Sequence, residues 1–253
     1  MITAHPSAPL GSVTHAHTYD ISDFLPTSAI LCRNTAPLLA FVFSLIERGI
    51  GVHVLGRDIG TGLLTTIESC RATTLLELEQ KLLQKRNREA GTLFKQGNET
   101  GAAAVNDRYD CIDLFVRRAK AQGQTDATFL DYLTNTITYL FDPARAGLLT
   151  LSTIHKAKGL EWPKVFILDA KRLMPSKWAT LPWQKSQERN LYHVAITRAM
   201  VDLVYISSNC WRKEGDEICP TQVVPKSLDS RLGSNPLPTF DPDAVECFFP
   251  DHD

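Results

Sequence analysis

The sequence lacks the long apolar runs and the cysteine patterns that define several large classes of protein. No apolar stretch in its 253 residues approaches the roughly 18 residues that a membrane-spanning helix needs. The first residues hold neither a basic segment nor an apolar core, so no secretory signal is expected. The six cysteines are scattered without a CxxC pair, which argues against a zinc ribbon or a disulfide scaffold. We therefore expect a cytoplasmic protein with no membrane partner and no protein-held metal.

Motifs that bind phosphates or supply a nucleophile are also absent. The phosphate-loop pattern GxxxxGK[ST] does not occur, and the Gly-Thr-Gly at residues 60–62 has no lysine after it. The sequence contains no dinucleotide fingerprint and no nucleophile elbow. These absences give low weight to an enzyme of small-molecule metabolism.

Charge is unevenly distributed, although the net formal charge is only -1. Residues 156–198 contain nine Lys and Arg against three Asp and Glu, whereas residues 214–253 contain two against nine. A basic segment can face phosphates while an acidic segment stays away from them. Two solvated surfaces of opposite charge would give the same pattern without any function.

Short apolar runs alternate with helical patterns in residues 29–64 and 141–210. The predicted strands are 29–32, 52–55, 148–153, 163–170 and 201–208, and the predicted helices between them are 37–49 and 187–200. Such alternation predicts an α/β fold with a mainly parallel sheet and helices on both faces. The first two predicted strands, with the helix between them, are predicted to form a parallel crossover.

The remaining segments differ in character. Residues 65–140 have leucines at helical spacing and charged faces, which predicts an all-helical insertion. Residues 1–28, rich in proline and histidine, are predicted to form a linker. Residues 211–253 are predicted to be a proline-rich acidic tail.

The first stretch with chemical potential is residues 151–169, which reads as a strand, a polar loop and a second strand. The polar positions of the loop are Thr153, His155, Lys156, Lys158, Gly159 and Glu161. Open α/β sheets bind ligands in loops at the carboxyl ends of strands. There a glycine lets backbone approach a ligand, a glutamate can accept from sugar hydroxyls, and the other polar residues can contact phosphates. A polar loop without function is the alternative.

The second stretch is the helix over residues 187–200, which carries Arg198 near its end. An arginine at a domain boundary can neutralise a phosphoryl group in the transition state, the role called an arginine finger. The alternative is a cation that only satisfies the dipole at the end of the helix.

Together these stretches carry a family resemblance. The pattern Thr-x-His-x-x-Lys-Gly-Leu-Glu, followed by Val-Ala-x-Thr-Arg-Ala, resembles the fifth and sixth helicase motifs of the UvrD/Rep type of superfamily 1 DNA helicases. Residues 29–60 resemble the opening of that family's second RecA-like domain, and residues 173–190 resemble a bacterial and phage UvrD-like subgroup. The resemblance covers about residues 26–210. It implies a RecA-like, mainly parallel sheet interrupted by a helical insertion in the place of the family's accessory domain.

The resemblance also implies roles for individual residues. Arg198 matches the arginine that contacts the γ-phosphate of ATP. Glu161 matches the acid near the nucleotide ribose, and Gly159 lies beside the phosphates. Thr153 and His155 match residues near the single-stranded DNA track. Lys156 and Lys158 lie in the same loop and are also expected to contact the DNA.

The implied function is the C-terminal motor half of an ATP-dependent helicase that moves along single-stranded DNA. Its partners would be that DNA and an N-terminal RecA-like domain, in cis or in trans. ATP and Mg²⁺ would bind only with the phosphate-loop half, which is not in this sequence, so the chain alone is expected to bind neither and to be inactive. The alternative is a non-catalytic module, derived from a helicase, that binds single-stranded DNA or a partner protein.

Overall fold

The computed structural model describes residues 11–212 and 222–224, and a seven-stranded sheet lies at its centre. The strands are β1 Ser12–His15, β2 Ser28–Cys32, β3 Val52–Val54, β4 Leu149–Thr153, β5 Trp162–Leu168, β6 Ala199–Ile206 and β7 Gln222–Val224. Their order is β3-β4-β2-β5-β6-β1-β7. Strands β1 to β6 are parallel, and β7 pairs with β1 in the antiparallel direction. The predicted α/β, RecA-like class with a mainly parallel sheet is confirmed.

Helices cover both faces of this sheet. They are α1 Thr35–Glu47, α2 Arg57–Glu68, α3 Leu75–Lys95, α4 Glu99–Ala121, α5 Phe129–Leu140, α6 Ala170–Leu173 and α7 Pro182–Ile196. Alternate strand residues divide between two cores because successive side chains point to opposite faces. Ile30 and Phe166 pack beneath α1 and the helices that follow it, whereas Leu31 and Ile167 pack beneath α7.

The helical insertion, α3 to α5, shares the core of the sheet. Its buried side chains belong to the same hydrophobic cluster as those of α1 and the strands. Phe115 of α4 packs edge-on against Phe43 of α1, with ring centroids 5.3 Å apart. The carboxylate of Asp107 accepts from the backbone N–H groups of Thr35 and Ala36, at 2.9 and 3.0 Å. Because Asp107 thereby caps α1, the insertion is joined to the α/β core by polar contacts as well as apolar ones.

The prediction that residues 1–28 form a linker is wrong for residues 12–28. Strand β1 pairs with β6, and the side chains of Tyr19 and Phe24 are buried. The Tyr19 hydroxyl donates to the carbonyl of Ser207 at 2.6 Å, and Trp211 packs on the Tyr19 ring. The sequence pattern did not predict this short strand or the two buried aromatic side chains, because they lie among prolines and histidines.

Trp211 and Arg212 likewise belong to the packed structure, since Arg212 pairs with Asp20. Apart from β7, the rest of the predicted acidic tail lies outside the described residues, as do residues 1–10. Within residues 11–212 and 222–224, no helix is long and apolar enough to cross a membrane.

Candidate functional site

Arg198 and Glu161 lie side by side where β5 and β6 begin. The register pairs Trp162 with Ala199, so the residue before each strand occupies the same edge of the sheet. The backbone N–H of Trp162 donates to the carbonyl of Arg198 at 3.0 Å. One guanidinium nitrogen of Arg198, Nη1, is 4.0 Å from Oε1 of Glu161. Two residues 37 positions apart in sequence are thus brought together by strand pairing.

The Arg198 guanidinium is held in place by its own chain. Its Nε donates to the carbonyl of Val194, Nη1 to the carbonyl of Leu160 and Nη2 to the hydroxyl of Thr197, at 2.9 to 3.0 Å. A guanidinium has five N–H donors. Two of them therefore have no hydrogen-bond partner within the described part of the chain. The side chain is 16% exposed and that of Glu161 is 58% exposed, so an anion can reach both groups from solvent.

Thr153 and His155 lie at the opposite edge of the sheet. Cys32 pairs with Thr153 on one side and with Leu168 on the other, so Thr153 is level with the end of β5. Glu161 precedes the start of β5, and the connection between β4 and β5 crosses from one edge to the other. The expectation that the whole loop lies at a carboxyl edge is therefore wrong. It holds for Thr153 and His155 and fails for Glu161.

Thr153 and His155 line an open cleft of about 1190 Å³ between the carboxyl edge and α4. The Thr153 side chain is buried and the His155 side chain is solvent-accessible. Partial burial lowers the pKa of His155 below its ordinary value, and the neighbouring Arg33 guanidinium lowers it further, opposed by Glu188. A lowered pKa favours the uncharged imidazole of His155 at neutral pH.

An ion pair that the sequence analysis missed lies beside His155. Arg33 follows β2, and its Nη2 donates to Oε1 of Glu188 at 2.7 Å while its Nε donates to both carboxylate oxygens. Oε2 of Glu188 also accepts from the backbone N–H of Ser176 at 3.0 Å. The available signal was a charged residue on the apolar face of α7, because Glu188 lies one and two helical turns before the buried residues Leu191 and Ala195.

The other loop residues have different surroundings. Lys156 Nζ is 2.6 Å from the carboxylate of Asp58 in the first turn of α2. Lys158 is exposed and forms no ion pair with any described residue. Gly159 has φ +86°, a conformation that L side chains rarely adopt, with no atom near its missing Cβ. Glycine at 159 is therefore required by backbone conformation rather than by space.

The folded protein should lose stability as pH falls below about 6.5. Burial is the main cause of lowered pKa values at His15, His53 and His155. The unfolded chain, whose histidines have pKa values near 6.5, therefore binds protons that the folded state binds only at lower pH.

Urea unfolding followed by circular dichroism between about pH 7.5 and pH 5.5 measures this effect. The free energy of unfolding should fall with pH, and His53→Gln should reduce the slope. A free energy that stays constant over this range would contradict the assignment.

No cluster of three or more His, Cys, Asp or Glu side chains that could hold a metal ion occurs among the described residues.

Comparison with known proteins gives a coherent set of matches. A family model described as the UvrD-like helicase C-terminal domain matches residues 71–210. The ATP-dependent DNA helicase UvrD1 of Mycobacterium leprae is 46% identical over 56 residues, and that of Mycobacterium tuberculosis is 45% identical over 64 residues. These matches cover 21% and 24% of this chain but only 7% and 8% of the two helicases. The similarity therefore spans a small part of each relative.

Proposed function

This chain belongs to the family of UvrD-like helicase C-terminal domains, and from that premise we propose that it is one half of an ATP-dependent motor that moves along single-stranded DNA. The proposal rests on one observation above the others. Arg198 and Glu161 meet at 4.0 Å on an exposed edge of the sheet, with the guanidinium oriented by three hydrogen bonds.

At this edge the chain closes over a nucleotide that another domain presents. The two N–H groups of Arg198 that have no partner in residues 11–212 and 222–224 neutralise charge on the γ-phosphate as it is transferred. The Glu161 carboxylate accepts from the ribose hydroxyls, and Gly159 allows the backbone to approach the phosphates. ATP with Mg²⁺ supplies the reacting phosphoryl group, and the phosphate-loop domain holds it.

The DNA strand occupies the opposite edge. Thr153 and His155 line the cleft there, and Lys156 and Lys158 follow in the same loop. Because nucleotide and DNA bind at different edges of one sheet, both can be bound at once. The loop over residues 154–161 joins the two sites, so closure at Glu161 can be coupled to movement at His155.

Reconstitution tests this proposal. The purified chain is mixed with a separately expressed phosphate-loop domain of a UvrD-like helicase, and ATP hydrolysis is measured with and without single-stranded DNA. We expect no measurable turnover from the chain alone, since the loop that binds the phosphates is missing, and DNA-stimulated turnover from the mixture.

Two other results would point elsewhere. Single-stranded DNA binding without turnover in the mixture would favour the non-catalytic binding module. Steady hydrolysis by the chain alone, abolished by Arg198→Ala, would show that it carries a phosphate site of its own and would overturn the division into halves.

A further inference from the structure

An exposed aromatic side chain that lines the cleft is in contact with a second exposed aromatic side chain. Trp178 lies in the connection between α6 and α7, lines the cleft and is 41% exposed. Phe94, near the end of α3 in the helical insertion, is 53% exposed. Their rings meet edge-on with centroids 6.2 Å apart. Neighbouring exposed aromatic side chains contributed by separate parts of the chain are a feature of binding surfaces rather than of ordinary solvated surface.

The connection that carries Trp178 is anchored on both sides of the ring. Before it, the backbone N–H of Ser176 donates to Glu188 at 3.0 Å. After it, the backbone N–H groups of Thr180 and Leu181 donate to the side-chain oxygen of Gln184, at 3.0 and 2.9 Å. Because the backbone on both sides of Trp178 is held, less of the chain has to be ordered when a flat partner stacks on the ring.

The lining of the cleft carries a small excess of basic side chains. Six Lys and Arg side chains line it against four Asp side chains. Each of the four acids is engaged: Asp58 pairs with Lys156, Asp110 with Arg86 and Asp113 with Arg117, while Asp107 caps α1. Five of the six basic side chains are engaged as well, since Arg33, Arg86, Arg108, Arg117 and Arg172 all form ion pairs. Lys177, next to Trp178, forms no ion pair with a residue that the structure describes.

We propose that Trp178, supported edge-on by Phe94, stacks on a base of the single strand that enters the cleft, while Lys177 contacts the adjoining phosphate. This inference rests on the proposed function and adds a binding residue outside the two helicase motifs. It also assigns the helical insertion a place in the DNA track, because α4 lines the same cleft as Thr153 and His155, and Phe94 of α3 contacts Trp178. Stacking on an aromatic ring is tolerant of sequence, as a translocating protein requires.

Fluorescence anisotropy with two labelled probes tests the stacking. One probe is an oligothymidylate and the other is an abasic strand of equal length, which keeps the phosphates and lacks the bases. Trp178→Ala should weaken oligothymidylate binding roughly 10-fold, the effect of losing one stacked base, and should leave abasic binding unchanged. Trp178→Phe should retain most of the affinity, and Phe94→Ala should show a smaller loss.

The matched control is Trp183→Ala. Trp183 is 56% exposed on α7 and does not line the cleft, so its removal should change binding to neither probe. Thermal unfolding of each variant separates a loss of stacking from a loss of fold.

Three outcomes would overturn the inference. Equal weakening of both probes by Trp178→Ala would show that Trp178 only shapes the cleft. An unchanged affinity in Trp178→Ala, together with weaker binding in His155→Ala, would remove Trp178 from the track and leave the proposed function intact. Failure of the unaltered chain to bind either probe would overturn the proposed function and this inference together.

Discussion

Replacing Arg198 with alanine is expected to lower ATP turnover by the reconstituted motor about 10³–10⁵-fold, the usual effect of losing an arginine finger. The guanidinium is oriented before the nucleotide arrives, by the carbonyl groups of Val194 and Leu160 and by Thr197. Charge placed in advance at the transferring phosphoryl group needs no reorganisation during the reaction. Arg198→Lys should recover little activity, because a lysine keeps the charge but lacks the planar group whose three nitrogen atoms each reach one of these acceptors.

Arg189→Ala is the control for this experiment. Arg189 is an exposed arginine of α7, the helix that ends just before Arg198, and no ion pair joins it to any residue the structure describes. Its removal should change turnover less than 2-fold, roughly the effect of one exposed charge. Single-stranded DNA binding should persist in Arg198→Ala, since that arginine lies at the edge of the sheet away from the cleft. Turnover within a few-fold of the unaltered protein would contradict the assigned role.

Replacing Arg33 with methionine is expected to lower the free energy of unfolding by about 3 kcal/mol. The substitution leaves the carboxylate of Glu188, which is 9% exposed, without its cation. A buried charge without a partner is strongly destabilising, whereas an exposed pair contributes only about 0–1 kcal/mol. Urea unfolding at neutral pH measures the difference.

Two further variants test whether the loss of stability comes from the unpaired carboxylate of Glu188. Arg117→Ala breaks an exposed pair with Asp113 on α4 and should cost less than about 0.5 kcal/mol. The double variant Arg33→Met with Glu188→Leu should recover much of the loss, because it removes the unpaired charge along with the pair. An Arg33→Met protein as stable as the unaltered one would show that the carboxylate finds another partner or accepts a proton.

The Glu188 substitution also has a consequence for DNA binding. Its carboxylate holds the backbone of Ser176, two residues before Trp178. Loss of that anchor should loosen the aromatic ring at the cleft. The ion pair therefore connects the stability of the α/β core to the shape of the proposed DNA track.

Local patterns in the sequence were sufficient for most of the fold. Apolar runs predicted β2, β3, β4, β5 and β6 to within a few residues, and leucine spacing predicted the helical insertion. These patterns work because a strand or helix buries a periodic set of its own neighbours. Strand β1 was missed, since its four residues are too few to show a period and lie among prolines and histidines.

The sequence by itself determined the residue types of the candidate site and their order, because the two motifs are contiguous stretches of chain. Only the tertiary structure decided where those residues stand. Strand register places Glu161 against Arg198 and puts Thr153 at the far edge, and register depends on pairing between distant segments. The contacts of Arg33 with Glu188 and of Phe94 with Trp178 likewise join residues 155 and 84 positions apart. A pattern that repeats every few residues cannot predict contacts between residues so far apart in sequence. Such contacts form only when helices and strands pack into one core.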